Sequence, residues 1–338
     1  GAVLTPWLLK IMNTPQDMMA SSTTYLRIYF MGILFTLVYN MGAAIMRAVG
    51  DSKRPLLYLV VCCVLNIGLD IFMVVILKMG IAGAALATVF SQCVSAFLVT
   101  WSLTKDYDSM KLQFRELRME ACVLKRELKI GIPGALQACA YGVTNVVIQA
   151  SINSFGTDTA AGWAAYGKLD LIFWTVSSAL GAAVTTFVGQ NYGAGNKERV
   201  RNSYFVSLAY SFGIGLVIGV TLEIFGTQFL SLFTTEQAVV DAGMKRLGIM
   251  GFSYCISAFM DATIAASRGL GKSVVPTIIV IMGSCVFRII WVYTIFAYFK
   301  TIPSLYLLYV FSWSITAIVE MIYFKVIYHK QMAVLRTA

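Results

Sequence analysis

Arg47-Ala48-Val49-Gly50-Asp51-Ser52-Lys53-Arg54-Pro55 returns 221 residues later as Arg268-Gly269-Leu270-Gly271-Lys272-Ser273-Val274-Val275-Pro276. In both copies an arginine closes an apolar run, a Gly-x-Ser turn follows, and a proline sits where the first turn of the next helix tolerates it. The same offset, without a gap, pairs Leu9 with Leu230, Thr14 with Thr235, Leu26 with Leu247, and Val89-Phe90-Ser91 with Val310-Phe311-Ser312. A register held through several apolar runs and a shared turn is an internal repeat, and it decides the fold.

The runs on either side of these turns are long enough to cross a membrane. Of 338 residues, 59 % are hydrophobic and only 12 % charged, with a mean hydropathy of +0.77. A soluble domain carries about 25 % charged residues, and a spanning helix needs about 20 apolar ones. Nine spans are predicted, at 28–48, 55–78, 81–103, 131–153, 163–188, 203–224, 241–266, 275–298 and 304–328. The chain therefore reads as an all-α polytopic membrane protein. Three of these spans precede the repeated part of the second copy and have no counterpart ahead of the first. The expectation is an N-terminally truncated chain, nine helices of a twelve-helix, two-lobe transporter with parallel repeats.

The expected division is 1–104 for the rest of the N-terminal lobe, 105–130 for a cytoplasmic amphipathic linker, 131–328 for the C-terminal lobe, and 329–338 for a cytoplasmic tail. Leu112, Phe114, Leu117, Val123 and Leu128 supply the apolar face of a linker helix lying on the membrane surface. With that linker inside, most of the 26 basic residues fall on the cytoplasmic side, and Lys10, Lys78, Lys245, Arg246 and Lys300 fall outside. The net charge of +10 is then a topology marker rather than a nucleic-acid footprint. The seven cysteines show no CxxC pair and read as buried thiols, not as a disulfide framework. A single histidine, His329, leaves no His-based metal site or catalytic triad, and no enzymatic motif is present. Ala266 to Ser273 imitates the end of a phosphate-binding loop but lacks its first glycine and preceding strand, so it reads as a turn between spans. Gly215-Leu-Val-Ile-Gly219 reads as a close-packing patch between helices.

Charges are scarce enough that each intramembrane one needs a reason. Asn66 and Asp70 lie four residues apart on one face of the 55–78 span. Asn40 in the preceding span and Thr88 in the following one complete an oxygen cluster. Such a set suits a hard cation, and a desolvated carboxylate equally carries a proton; the plain alternative is a packing hydrogen bond. Under the 221-residue offset Asn66, Asp70 and Thr88 become Phe287, Trp291 and Tyr309, so the cluster belongs to the first lobe alone. Asp261 is a second candidate for ion coupling. Lys168 and Asp170, two residues apart, do not share a helix face, so their partners are expected on other helices. Arg288 and Glu320 are a possible pair between neighbouring helices, most of these charges being scaffold.

Four motifs in order now resemble the multidrug and toxic compound extrusion (MATE) transporters. Met46 to Pro55 followed by Asn66-Ile67-Gly68-Leu69-Asp70 is similar to their fourth and fifth helices, and Gly131-Ile132-Pro133 to the start of the seventh. Val188-Gly-Gln-Asn-Tyr-Gly-Ala-Gly-Asn196 with Arg199 is similar to the loop after the eighth. The resemblance implies efflux of hydrophobic cations by alternating access, in exchange for H⁺ or Na⁺ and with no other cofactor. Asn66, Asp70 and Thr88 match the family's N-lobe cation site, and Asn40 fits its fourth helix. The family's first-helix Asp falls outside this chain. The seventh-helix Glu of some members has no acidic match between Gln137 and Tyr141, which leaves those two residues, with Asp261, Asp170 and Lys168, as coupling or substrate candidates. The pattern is similar to the DinF-like bacterial branch. A monomer in the cell membrane with a cytoplasmic C-terminus is expected, without nucleic-acid partners. A lipid-linked sugar flippase of the same superfamily is the alternative.

Overall fold

A computed structural model describes residues 2–11, 16–107, 111–116 and 118–337. Among these the elements are helical, with no strand. In chain order they are α1 (Thr5–Ile11), α2 (Gln16–Ala48), α3 (Lys53–Asp70), α4 (Gly80–Lys105), α5 (Ala121–Asn153), α6 (Thr157–Gly193) and α7 (Lys197–Ser231). There follow α8 (Gln237–Met250), α9 (Ser253–Gly269), α10 (Val274–Val280), α11 (Phe287–Trp291), α12 (Ala297–Phe299) and α13 (Ile302–Thr337). Three π-helical stretches, Ile71–Ile76, Ile281–Val286 and Val292–Phe296, continue α3, α10 and α11.

Seven of the described helical segments are long and apolar enough to cross a bilayer, and the bent pair α8–α9 makes an eighth. The ninth predicted span lies in α5, which is long enough but interrupted by Gln137, Asn145, Gln149 and Asn153. In the stretch expected to form the linker, α4 ends at Lys105, and α5 starts at Ala121 and runs unbroken into the predicted span. No Gly or Pro lies between Ala121 and Ile130 to stop it. Leu117 lies outside the described residues, as do residues 108–110. The tail from 329 continues as helix to Thr337.

The repeat is visible in the backbone. α2 starts 221 residues before α8 and ends 221 before α9, and α3 starts 221 before α10. Gly50 and Gly271, the matched turn glycines, both adopt positive φ, +93° and +74°. The π-helical stretch after Asp70 recurs in register at Val292–Phe296. The copies differ where the second is bent by 57° between α8 and α9.

The chain divides into two compact units, Gly1–Arg118 and Met119–Ala338. In the first, α4 packs against both α2 and α3. Tyr39, Ala43, Met46, Ala96, Val99 and Leu103 form its core. Gly42 is needed there, because a Cβ would lie 2.0 Å from Val99 Cγ1. On α3 only Pro55 and Cys62 are buried, while Leu56, Leu57, Val60, Val64 and Ile67 are exposed. An apolar surface of that extent requires lipid or protein around it. In the second unit α9 is central, packed by α6, α7 and α13. The Gly215–Gly219 patch on α7 makes the close approach expected of it. A Cβ on Gly215 would lie 3.2 Å from Tyr254 O, and one on Gly219 2.5 Å from Gly251 O.

Candidate functional site

In the first unit, α3 carries Asn66 and Asp70 one turn apart, both half-buried. Asn66 Nδ2 and Asp70 Oδ1 are buried atoms without a hydrogen-bond partner among the described residues. α4 returns along α3 after the turn at Lys78 (φ 52°). That hairpin brings Thr88 and Gln92, also one turn apart, to about the depth of Asp70 and Asn66. Thr88 Oγ1 donates to Ala84 O at 3.0 Å, which leaves its lone pairs free to accept. Gln92 Oε1 is a third buried atom without a partner. Buried polar atoms are paired in the great majority of cases, so three orphans on two packed helices make this hairpin a candidate site. Asn40 stands apart, exposed on α2. Asp70 is also the last α-helical residue before the π-helical stretch, a backbone irregularity that concentrates at functional positions.

The second unit holds two polar groups. In the first, Asp170 on α6 pairs with Arg246 on α8, Nη2 to Oδ2 at 2.5 Å, and Tyr254 on α9 donates to the other carboxylate oxygen. Arg246 Nη1 also donates to Trp163 O at 3.1 Å, and the guanidinium lies 3.5 Å from the Trp163 ring centroid. Arg246 is only 4 % exposed, its guanidinium buried where α8 packs on α6. Lys168 is exposed and caps the Phe233 ring at 4.8 Å. Asp170 therefore finds its partner on another helix, as the spacing predicts, whereas Lys168 joins no acid.

The other group brings Gln137, Asp261, Arg268 and Tyr141 together. Arg268 Nη2 donates to Gln137 Oε1 at 2.8 Å, and Ser177 Oγ donates to Asp261 Oδ2 at 2.7 Å. The Arg268 charge interacts with Asp261, Tyr141 and Glu320. Tyr141 also faces Arg288, whose guanidinium is 5.8 Å from its ring and 4.3 Å from that of Tyr309. The possible Arg288–Glu320 pair does not form. Arg288 Nε donates instead to Ser312 Oγ at 2.9 Å, and Ser312 precedes Glu320 by two helical turns, about 12 Å.

Sequence reasoning missed Gln92 and Arg246. Gln92 was findable, one turn beyond Thr88 on the same face. Arg246 carried no signal, because its partner Asp170 lies 76 residues away on another helix.

Together these features define a multi-pass, all-helical membrane protein built on an internal repeat, with isolated polar groups buried in each half. The MatE family model matches residues 1–72 and 133–294, and the chain belongs to that family. It is 35 % identical over 258 residues to the probable multidrug resistance protein YpnP of Bacillus subtilis (strain 168), covering 75 % of this chain and 57 % of the relative. It is 28 % identical over 292 residues to the probable multidrug resistance protein YoeA of the same organism, covering 84 % and 63 %. The chain thus spans 57–63 % of the length of these relatives. Its fold is similar to a crystal structure of MATE in the bent conformation, with a TM-score of 0.90 at 21 % identity, covering 99 % of this chain and 75 % of that one.

Proposed function

We propose that this protein acts in secondary active efflux, exporting hydrophobic cationic compounds in exchange for H⁺ or Na⁺ by alternating access. The observation that carries this reading is the unpartnered carboxylate oxygen of Asp70, one turn from Asn66 on α3, with Gln92 a further unpartnered polar group on the α4 helix packed against it. An intramembrane carboxylate is expensive, and its presence marks an ion path by default. Family membership and relatives named as multidrug resistance proteins support the substrate class. Coupling requires that the bound ion favour one conformation over the other, and an acid that alternates between neutral and charged supplies such a difference. Asn40, exposed on α2, is left out of this site, and Gln137, Tyr141 and Asp261 are assigned to the polar lining of the second unit. Asp170 and Lys168 serve as scaffold in this account. The protein works as a monomer in the cell membrane with its C-terminus inside.

The test is transport of a cationic dye in sealed vesicles under an imposed H⁺ gradient or, separately, a Na⁺ gradient. Dye movement against its own gradient is expected with one of the two. Movement with neither contradicts antiport.

A further inference from the structure

Glu320 is fully buried, 0 % exposed, in the middle of α13. It ends a polar strip of Ser312, Thr316 and Glu320 at four-residue steps on one helix face, each fully buried. The first two rungs are filled. Ser312 Oγ accepts from Arg288 Nε at 2.9 Å, and Thr316 Oγ1 lies 3.1 Å from Ser284 Oγ. The third rung has nothing: neither Glu320 oxygen has a hydrogen-bond partner among the described residues. The hydroxyls of Ser267 on α9 and Thr277 on α10, two helices that pack on α13, are buried and unpartnered as well.

The charges around it are few. From α9, Arg268 is the cation that acts on Glu320, and it shares that field with Asp261. Tyr204 from α7 and Tyr323 on α13 both feel the Glu320 charge. Arg288 from α11 is held on Ser312, and Arg246 from α8 is committed to Asp170. An ionised carboxylate without a hydrogen bond is not tenable in such surroundings, and a purely packing role would be filled as well by an apolar side chain. The acid is intelligible if its proton comes and goes.

We propose that Glu320 is a proton-binding site of the second unit, separate from Asp70, with Arg268 as its counter-charge when the proton leaves. The inference rests on the antiport reading for its role in the cycle. In the release step the O–H bond of the neutral carboxyl breaks, the proton passes to water, and the carboxylate charge is taken up by the Arg268 guanidinium.

Infrared difference spectroscopy of the intact protein, titrated from acid to alkaline pH, tests this. A carboxyl C=O band that disappears on raising pH is expected in the wild type and in Asp70→Asn, and is expected to be lost in Glu320→Gln. In Arg268→Gln, which leaves the carboxyl in place, the band is expected to disappear at higher pH. The same titrating band in Glu320→Gln, or an unmoved titration in Arg268→Gln, overturns the proposal. The second comparison decides it if Glu320→Gln fails to fold. Failure of antiport leaves the band in place, so the two readings fail separately.

Discussion

Arg246 and Asp170, 76 residues apart in sequence, meet at 2.5 Å with both side chains nearly out of solvent. The pair fastens α8 to α6, and Tyr254 adds α9 to the same knot. Removing one partner leaves the other charge buried alone, which typically costs about 3–5 kcal/mol. Arg246→Ala is therefore expected to lower the unfolding temperature in detergent by many degrees. The double variant with Asp170→Asn is expected to lose less than the two single losses added, because the stranded charge is gone. Additive losses would mean that the two residues act independently.

The glycines separate two kinds of constraint. Gly50 and Gly271 have positive φ and nothing within 4 Å of an added Cβ, so alanine there costs backbone strain alone, about 1–2 kcal/mol. Asparagine, which tolerates that conformation, is expected to recover part of the loss at both positions. At Gly219 a Cβ would meet the Gly251 carbonyl oxygen at 2.5 Å, so alanine and asparagine are both expected to destabilise. Thermal unfolding of the six single variants checks the pattern. Recovery by asparagine at Gly219 would contradict the close approach.

The loop between α2 and α3 carries a pH-dependent contact outside the spans. Tyr107 donates to Asp51 Oδ2 at 2.6 Å, and Arg54 lies 3.5 Å from the same carboxylate oxygen. The Tyr107 hydrogen bond is the main cause that holds the Asp51 carboxyl below the usual carboxylate range. A lowered value means that the folded state favours the ionised form. The stabilisation is thus present at neutral pH and fades as pH falls through the acid range. Tyr107→Phe is expected to unfold at lower temperature at neutral pH, with the difference from wild type shrinking under strongly acid conditions. A difference that grows as pH falls would reverse the sign of the linkage.

Much of this was legible in the sequence because it depends on short-range pattern. The apolar runs, the breakers between them and the Gly50/Gly271 register recur in the backbone. So does the Asn66–Asp70 face, since a four-residue step fixes a shared face whatever the tertiary packing. What stayed hidden depends on where helices bend and which neighbours they meet. Arg246 reads only as one of a few cations left on the outer side, and the packing of α8 on α6 is what reveals it buried against Asp170. Arg288 and Glu320 look like a pair from their signs, but the register between α11 and α13 sets Arg288 on Ser312, two turns away. The segment from Ala121 to Ile130 reads as a surface helix by charge, yet nothing in it ends a helix, so it becomes the start of α5.

If Asp70 couples an ion to efflux, Asp70→Asn is the decisive variant, since the exchange keeps the size and removes the titratable charge. Efflux of a cationic dye from sealed vesicles under the ion gradient that drives the wild type is the measurement, alongside the unfolding temperature. Gradient-driven efflux is expected to be lost with the unfolding temperature essentially unchanged. Wild-type efflux from the folded Asp70→Asn protein would contradict it.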